Sequence, residues 1–265
     1  MKKIAVLVDF TRSGKPAMLM AKRLSEISGA EIIAVNISDG QHNDEVLKHQ
    51  LDEYTSAMLG QKIASHAVIG HGKLLSSIPQ LLTEINPDLV VICTHGIRGV
   101  IQTLFGATIL KLVQEIHFPS IVVQENTVVR NTLPVNILLT ASPYESFYAK
   151  MKYCGTIAKS IDANVVHYEM EKYLGDTEEV IAKHSKEAEA YYSEIQVKFS
   201  TVNEERKLMS LGFAQQTINY AYNHGYDLVC VSADTHQEQM AMGKADKEKM
   251  LCNDEGVAIL VCPDK

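Results

Sequence analysis

Short runs of consecutive apolar residues alternate along this chain with stretches in which apolar and charged residues recur at helical spacing. The runs Ile4–Val8, Glu31–Ile37, His66–Ile69, Leu89–Cys93 and Ile121–Gln124 have strand length and read as five strands. Between them Gly14–Ser28, Asn43–Lys62 and Leu74–Ile85 predict helices, and an apolar helix over Ile109–Ile116 follows Gly106. Such alternation predicts βαβ crossovers and a largely parallel sheet.

The order then repeats. Lys3–Leu7 matches Asn136–Thr140, and Gly29–Ile33 matches Asp162–Val166, both at an offset of 133 (137 − 4 and 165 − 32). Asp88–Cys93 matches Asp227–Ser232 at 139 (227 − 88), and Pro119–Val123 matches Val257–Val261 at 138 (257 − 119). Four matches in one order predict two domains, 1–127 and 134–265, with an insertion between the second and third matches. Pro134 holds Leu133 extended at the entry to the second half.

Composition narrows the function classes. With 265 residues and 46% hydrophobic content each half can bury a core. A formal charge of −7 argues against a nucleic-acid or anionic-membrane partner, since both need clustered Lys and Arg. The run Ile4–Val8 is too short for a signal or a span, so a cytoplasmic protein is expected. Cys93, Cys154, Cys230, Cys252 and Cys262 lack CxxC spacing and read as buried thiols. The histidines show no metal-ligand spacing, and no metal site is expected.

Ligands of open parallel sheets bind beyond the carboxyl ends of the strands, where strand order reverses. There the sequence places Asp9, Val35-Asn36 and Thr94-His95-Gly96-Ile97-Arg98-Gly99, followed by Gly106-Ala107-Thr108. Glycines at a strand-to-helix turn open backbone N–H groups to phosphate oxygens, and Arg98 adds a charged fork. His95 lacks a partner nucleophile or acid, and no catalytic residue is assigned.

Gly96-Ile97-Arg98-Gly99, then Gly106-Ala107-Thr108, a helix, and His117-Phe118-Pro119-Ser120-Ile121-Val122-Val123 resemble the signature of universal stress proteins. Asp9 after the first strand, and Gly72 ahead of Leu74–Ile85, fit the same pattern. The resemblance implies two tandem Rossmann-like domains of the adenine nucleotide α-hydrolase-like group. Each is a five-stranded, mostly parallel sheet flanked by helices, and together they form an intramolecular pseudo-dimer. It implies ATP, with its associated Mg, at the first domain, Asp9 and Val35 lying at the nucleoside and Gly96, Gly99, Gly106 and Thr108 at the phosphates. The spacer from Gly99 to Gly106 is shorter than the family's usual one, and Ala107 stands where the family has Ser or Thr. By the family's dimers, Ile121–Gln124 and Ile259–Cys262 would pair within the chain, and further homodimerisation remains open.

The second half loses the site. At the offsets above Asp9 falls on Ser142, Gly96 on Thr235, Gly99 on Glu238 and Gly106 near Lys244 or Ala245. Glu238 would repel an anion. Glu169 through Glu189 reads as a solvated charged helical face, and Met240, Met242 and Met250 in the altered 234–250 segment read as a mobile or partner-facing insert.

These features favour a stress-response binding or regulatory protein sensing an adenine nucleotide. A ligand-free scaffolding pseudo-dimer is the second reading. A nucleotide-hydrolysing enzyme is the third, although the Ser-Gly-Gly-x-Asp-Ser turn and His-x-Gly-His motif of related enzymes are absent.

Overall fold

The computed structural model describes residues 1–9, 14–38, 40, 43–60, 62–94, 106–170, 176–205, 212–233 and 244–264. The first half runs β1 (Lys3–Leu7), α1 (Lys15–Ser28), β2 (Glu31–Ser38), α2 (Asp44–Leu59), β3 (Ser65–His71), α3 (Leu74–Ile85), β4 (Leu89–Thr94), α4 (Gly106–Glu115) and β5 (Ser120–Gln124). The second runs β6 (Asn136–Thr140), α5 (Ser146–Ser160), β7 (Asn164–Met170), α6 (Asp176–Glu194), β8 (Phe199–Glu204), α7 (Phe213–Asn223), β9 (Leu228–Ser232), α8 (Lys244–Leu251) and β10 (Ala258–Cys262).

Local chemistry sets several boundaries. Asn43 caps α2 by accepting the Glu45 N–H at 2.8 Å, with Asp44 and Glu45 complementing the dipole of the first turn. The helix expected to reach Lys62 stops at Leu59 because Gly60, at φ 73°, turns the chain away.

All ten strands form one sheet in the order β3-β2-β1-β4-β5-β10-β9-β6-β7-β8. Every pairing within a half is parallel, whereas β5 and β10 run antiparallel with Val122 opposite Ile259 and Ile121 opposite Leu260. The repeat reappears in the register. Ile4 faces Ile32 and Leu89, while Ile137 faces Val165 and Leu228, so the offsets of 133 (165 − 32) and 139 (228 − 89) return as hydrogen-bonded neighbours. This is the mostly parallel α/β architecture expected.

Because helices cover both faces, the central strands are buried on both sides and their sequences are almost unbroken apolar runs. One core lies under α1, α2, α5 and α6, and the other under α3, α4, α7 and α8; both cross the β5–β10 seam. Polar ties cross it too. Gln124 Nε2 donates to Leu251 O at 2.9 Å, and Gln114 Nε2 donates to Ala233 O at 3.1 Å.

Two expectations for the second half are corrected. Glu169 and Met170 belong to β7, and α6 is solvated on one side only: His184, Ala188 and Tyr192 are buried. Met250 sits in the core with α4 and α7 rather than facing a partner. Met240 and Met242 lie outside the described residues. Among the described residues, no helix is long and apolar enough to cross a membrane.

Candidate functional site

Strand order reverses between β1 and β4, since β1 connects to β2 on one side and β4 joins it on the other. The carboxyl ends of these strands define the candidate site. Val8 N–H donates to Val35 O at 2.8 Å and Asn36 Nδ2 donates to Val8 O at 2.7 Å, which closes the β1–β2 end and leaves Asp9 exposed beyond it. Asp9 does not serve as the N-cap of α1. Gly14 holds that position without a side-chain cap, in ordinary helical conformation at φ −73°.

Gly14 is small for a spatial reason. A Cβ placed there would stand 3.1 Å from Asp9 Oδ1, so α1 begins directly against this carboxylate. On β4, Cys93 is half-buried; burial, and then the carboxylates of Asp9 and Glu125, push its thiol up to about 12 despite a hydrogen bond from the Ala17 N–H. Tyr54 on α2 faces the same group, and its phenol is raised by burial and then by Asp9 and Cys93. At neutral pH both Cys93 and Tyr54 are therefore uncharged, and the thiol is no nucleophile.

The remaining sequence-derived positions divide. Val35 lies within β2, three residues before its end, and its side chain points into the core that holds Ile78 and Ile109. Gly106 opens α4 and Thr108 lies half-buried in its first turn, where backbone N–H groups have no intrahelical acceptor. Gly96, Arg98 and Gly99, like His95, lie outside the described residues. Among the described residues, no three His, Cys, Asp or Glu side chains converge to hold a metal ion.

In the second half the corresponding space is filled from within. At the 133 offset Gly14 becomes Phe147 and Ala17 becomes Lys150. Phe147 is buried and stacks on His184, with ring centroids 4.9 Å apart and planes 1° from parallel. His184 Nδ1 stands 2.8 Å from Ser142 O, at the residue equivalent to Asp9. Lys150, fully buried, donates to Thr140 O at 2.7 Å and to Thr140 Oγ1 at 3.1 Å, its ammonium 5.5 Å from the Phe147 ring centre. Sequence reasoning placed Ser142 and missed the other three. The offset alone could have flagged Phe147 and Lys150, but no local pattern marks a lysine for burial.

A titratable group lies beside this plug. His167 on β7 is buried between Phe147 and Phe199, with Nδ1 3.2 Å from Glu169 Oε1 and 3.2 Å from Ser185 Oγ. Its pKa is lowered from 6.5, chiefly by burial and also by Lys150 and His184, against the opposing pull of Glu169. A base that binds its proton less firmly folded than unfolded loses stability as pH falls through the unfolded value. Urea midpoints are therefore expected to drop between pH 7.5 and pH 5.5, with a smaller drop in a His167→Gln variant. An equal drop in the variant would assign the effect elsewhere.

The family model described as "Universal stress protein family" matches residues 1–124. Among solved structures, a universal stress protein from Archaeoglobus fulgidus DSM 4304 is 10% identical, with a TM-score of 0.64 over 98% of this chain and 96% of that one. A candidate universal stress protein from Pseudomonas aeruginosa UCBPP-PA14 is 12% identical, with a TM-score of 0.61 over 99% and 93%. The cytoplasmic domain of a prokaryotic cation chloride cotransporter is 10% identical, with a TM-score of 0.56 over 99% and 96%. At these identities the likeness is one of fold. No curated protein matches the chain in sequence.

Proposed function

We propose that the chain, whose residues 1–124 match the universal stress protein family model, is a stress-response regulatory protein that binds one adenine nucleotide per chain. The binding unit is the domain 1–127, and the domain 134–265 is its non-binding partner, paired with it inside the chain. One contrast carries this reading. Asp9 stands at the strand switch point beside an unsubstituted Gly14, whereas Phe147, His184 and Lys150 occupy the equivalent space of the second half.

The residues present fit the ligand. Asp9 and Val35 would meet the nucleoside, a carboxylate being suited to accept hydrogen bonds from ribose hydroxyls. Gly96, Gly99, Gly106 and Thr108 would offer N–H and O–H donors to phosphates at the start of α4, Arg98 adding charge, with ATP accompanied by Mg. The uncharged Cys93 and Tyr54 supply no nucleophile, which favours binding over chemistry. Five free cysteines suit a reducing cytoplasm.

The test imitates the second half. In Gly14→Phe, a ring enters the space beside Asp9 while the backbone φ of −73° stays comfortable for any residue. Calorimetric titration with ATP, AMP and a cyclic nucleotide is expected to show binding to the parent chain and a loss of roughly tenfold or more in Gly14→Phe and in Gly99→Glu. Unchanged affinity in both variants would sink the reading.

A further inference from the structure

Away from the strand switch point, a cavity of about 210 Å³ lies where the segment after β5 crosses between the two halves. Its walls come from α1 (Met20), from residues 126–130 (Val128, Arg130), from the last turn of α7 (Tyr222), from the turn between α7 and β9 (Tyr226) and from the approach to β10 (Glu255). We propose that this cavity is a second ligand site, taking a small monocarboxylate with a ring-sized apolar body.

The lining argues for each part of that ligand. Among the described residues, no carboxylate or carbonyl pairs with Arg130; the guanidinium instead rests over Gly225, where an added Cβ would meet Nη1 at 3.1 Å. An arginine fork without a partner at a cavity matches a carboxylate in a bidentate arrangement. Five large apolar side chains stand exposed among the described residues, and two of them, Val128 at 78% and Tyr222 at 54%, line this cavity. Covering them with the body of a ligand removes apolar surface from water.

Charge and size set the limits. Glu255, which accepts from Gln215 Nε2 at 2.7 Å, places a negative charge on the wall and disfavours a dianion. The volume falls below the roughly 300 Å³ at which drug-sized pockets begin, so the occupant is small. The walls are also held together by a close backbone contact. Gly256, at φ 72°, leaves only 2.9 Å between a would-be Cβ and Asn126 O, which brings the start of β10 onto the crossing segment.

Phenylacetate and its uncharged analogue phenylacetamide are suitable probes, titrated into the full chain and followed by amide chemical shifts. Phenylacetate is expected to give saturable shifts around 126–130 and 222–226, with phenylacetamide weaker by about tenfold or more. Arg130→Gln, at an exposed position, is expected to weaken phenylacetate to the same degree while keeping the parent unfolding midpoint. Tyr222→Ser is expected to weaken both probes. Absence of saturation by about 10 mM, or equal affinity for acid and amide, or an unaffected Arg130→Gln chain, would overturn the proposal.

Discussion

Replacing Ile121 with glutamate is expected to unfold the chain or to part its halves. Ile121 is fully buried, opposite Leu260 on the antiparallel seam, and packs in the core that α1 and α5 share. A carboxylate at this point has no basic partner on the facing strand, where Leu260 is flanked by Ile259 and Val261. Burying an unpaired charge costs at least about 4 kcal/mol, a large part of the roughly 5–15 kcal/mol that holds a domain folded. Ile121→Val, which only trims a methylene, should cost about 1 kcal/mol. Denaturation midpoints and sedimentation profiles distinguish the two. A parent-like midpoint for the glutamate variant would mean that the seam does not hold the halves together.

Asp227→Ala is expected to cost about 3–5 kcal/mol, read as a fall in the urea midpoint. Arg23 on α1 and Asp227 before β9 are 204 residues apart, yet Nη1 and Oδ1 meet at 2.8 Å with side chains only 5% and 4% exposed. Asp227 Oδ2 also accepts the Asn136 N–H at 2.9 Å, and Arg23 Nη2 donates to Thr132 O at 2.7 Å. Taking away the carboxylate strands the guanidinium in the interior, with Nε already lacking a hydrogen-bond partner among the described residues. Pairing that change with Arg23→Met should recover much of the loss, because the penalty belongs to the unpaired charge rather than to the missing bond. If the single variant unfolds like the parent, this junction contributes little to uniting the halves.

Burial explains what could be read from the chain in advance. Strands such as β4 and β10 are covered on both faces, so Leu89–Cys93 and Ala258–Cys262 are apolar throughout and visible as runs. The edge strand β3 is exposed at Ser65 and His66 and half-buried at several later positions, and its ends at Ser65 and His71 lie beyond the legible core His66–Ile69. Cross-chain events leave no such trace. Lys150 is buried because Thr140, across the turn from β6 into α5, accepts from it, and His184 because Phe147 on another helix stacks on it. Met250 looked like part of a polar insert because its neighbours Lys244, Lys247 and Lys249 are charged, while one side of α8 still meets the core.

The site was legible to a similar depth. Asp9 could be placed because strand ends at a switch point are where ligands sit, and the structure sets it against Gly14. Val35 shows the limit of that reasoning, since alternation along β2 turns its side chain away into the core while Asn36 reaches Val8 O. Gly14 carries no local signal in the sequence; the offset of 133 pairs it with Phe147, and the fold then sets it against Asp9.

Counting nucleotides bound per chain tests the central claim most directly. Equilibrium dialysis of the parent chain against radiolabelled ATP or AMP is expected to saturate at one per chain, with the plateau abolished by Gly14→Phe. Saturation at two per chain would mean that the Phe147–His184 plug does not close the second half, and no binding at either nucleotide would leave the first half without its assigned ligand.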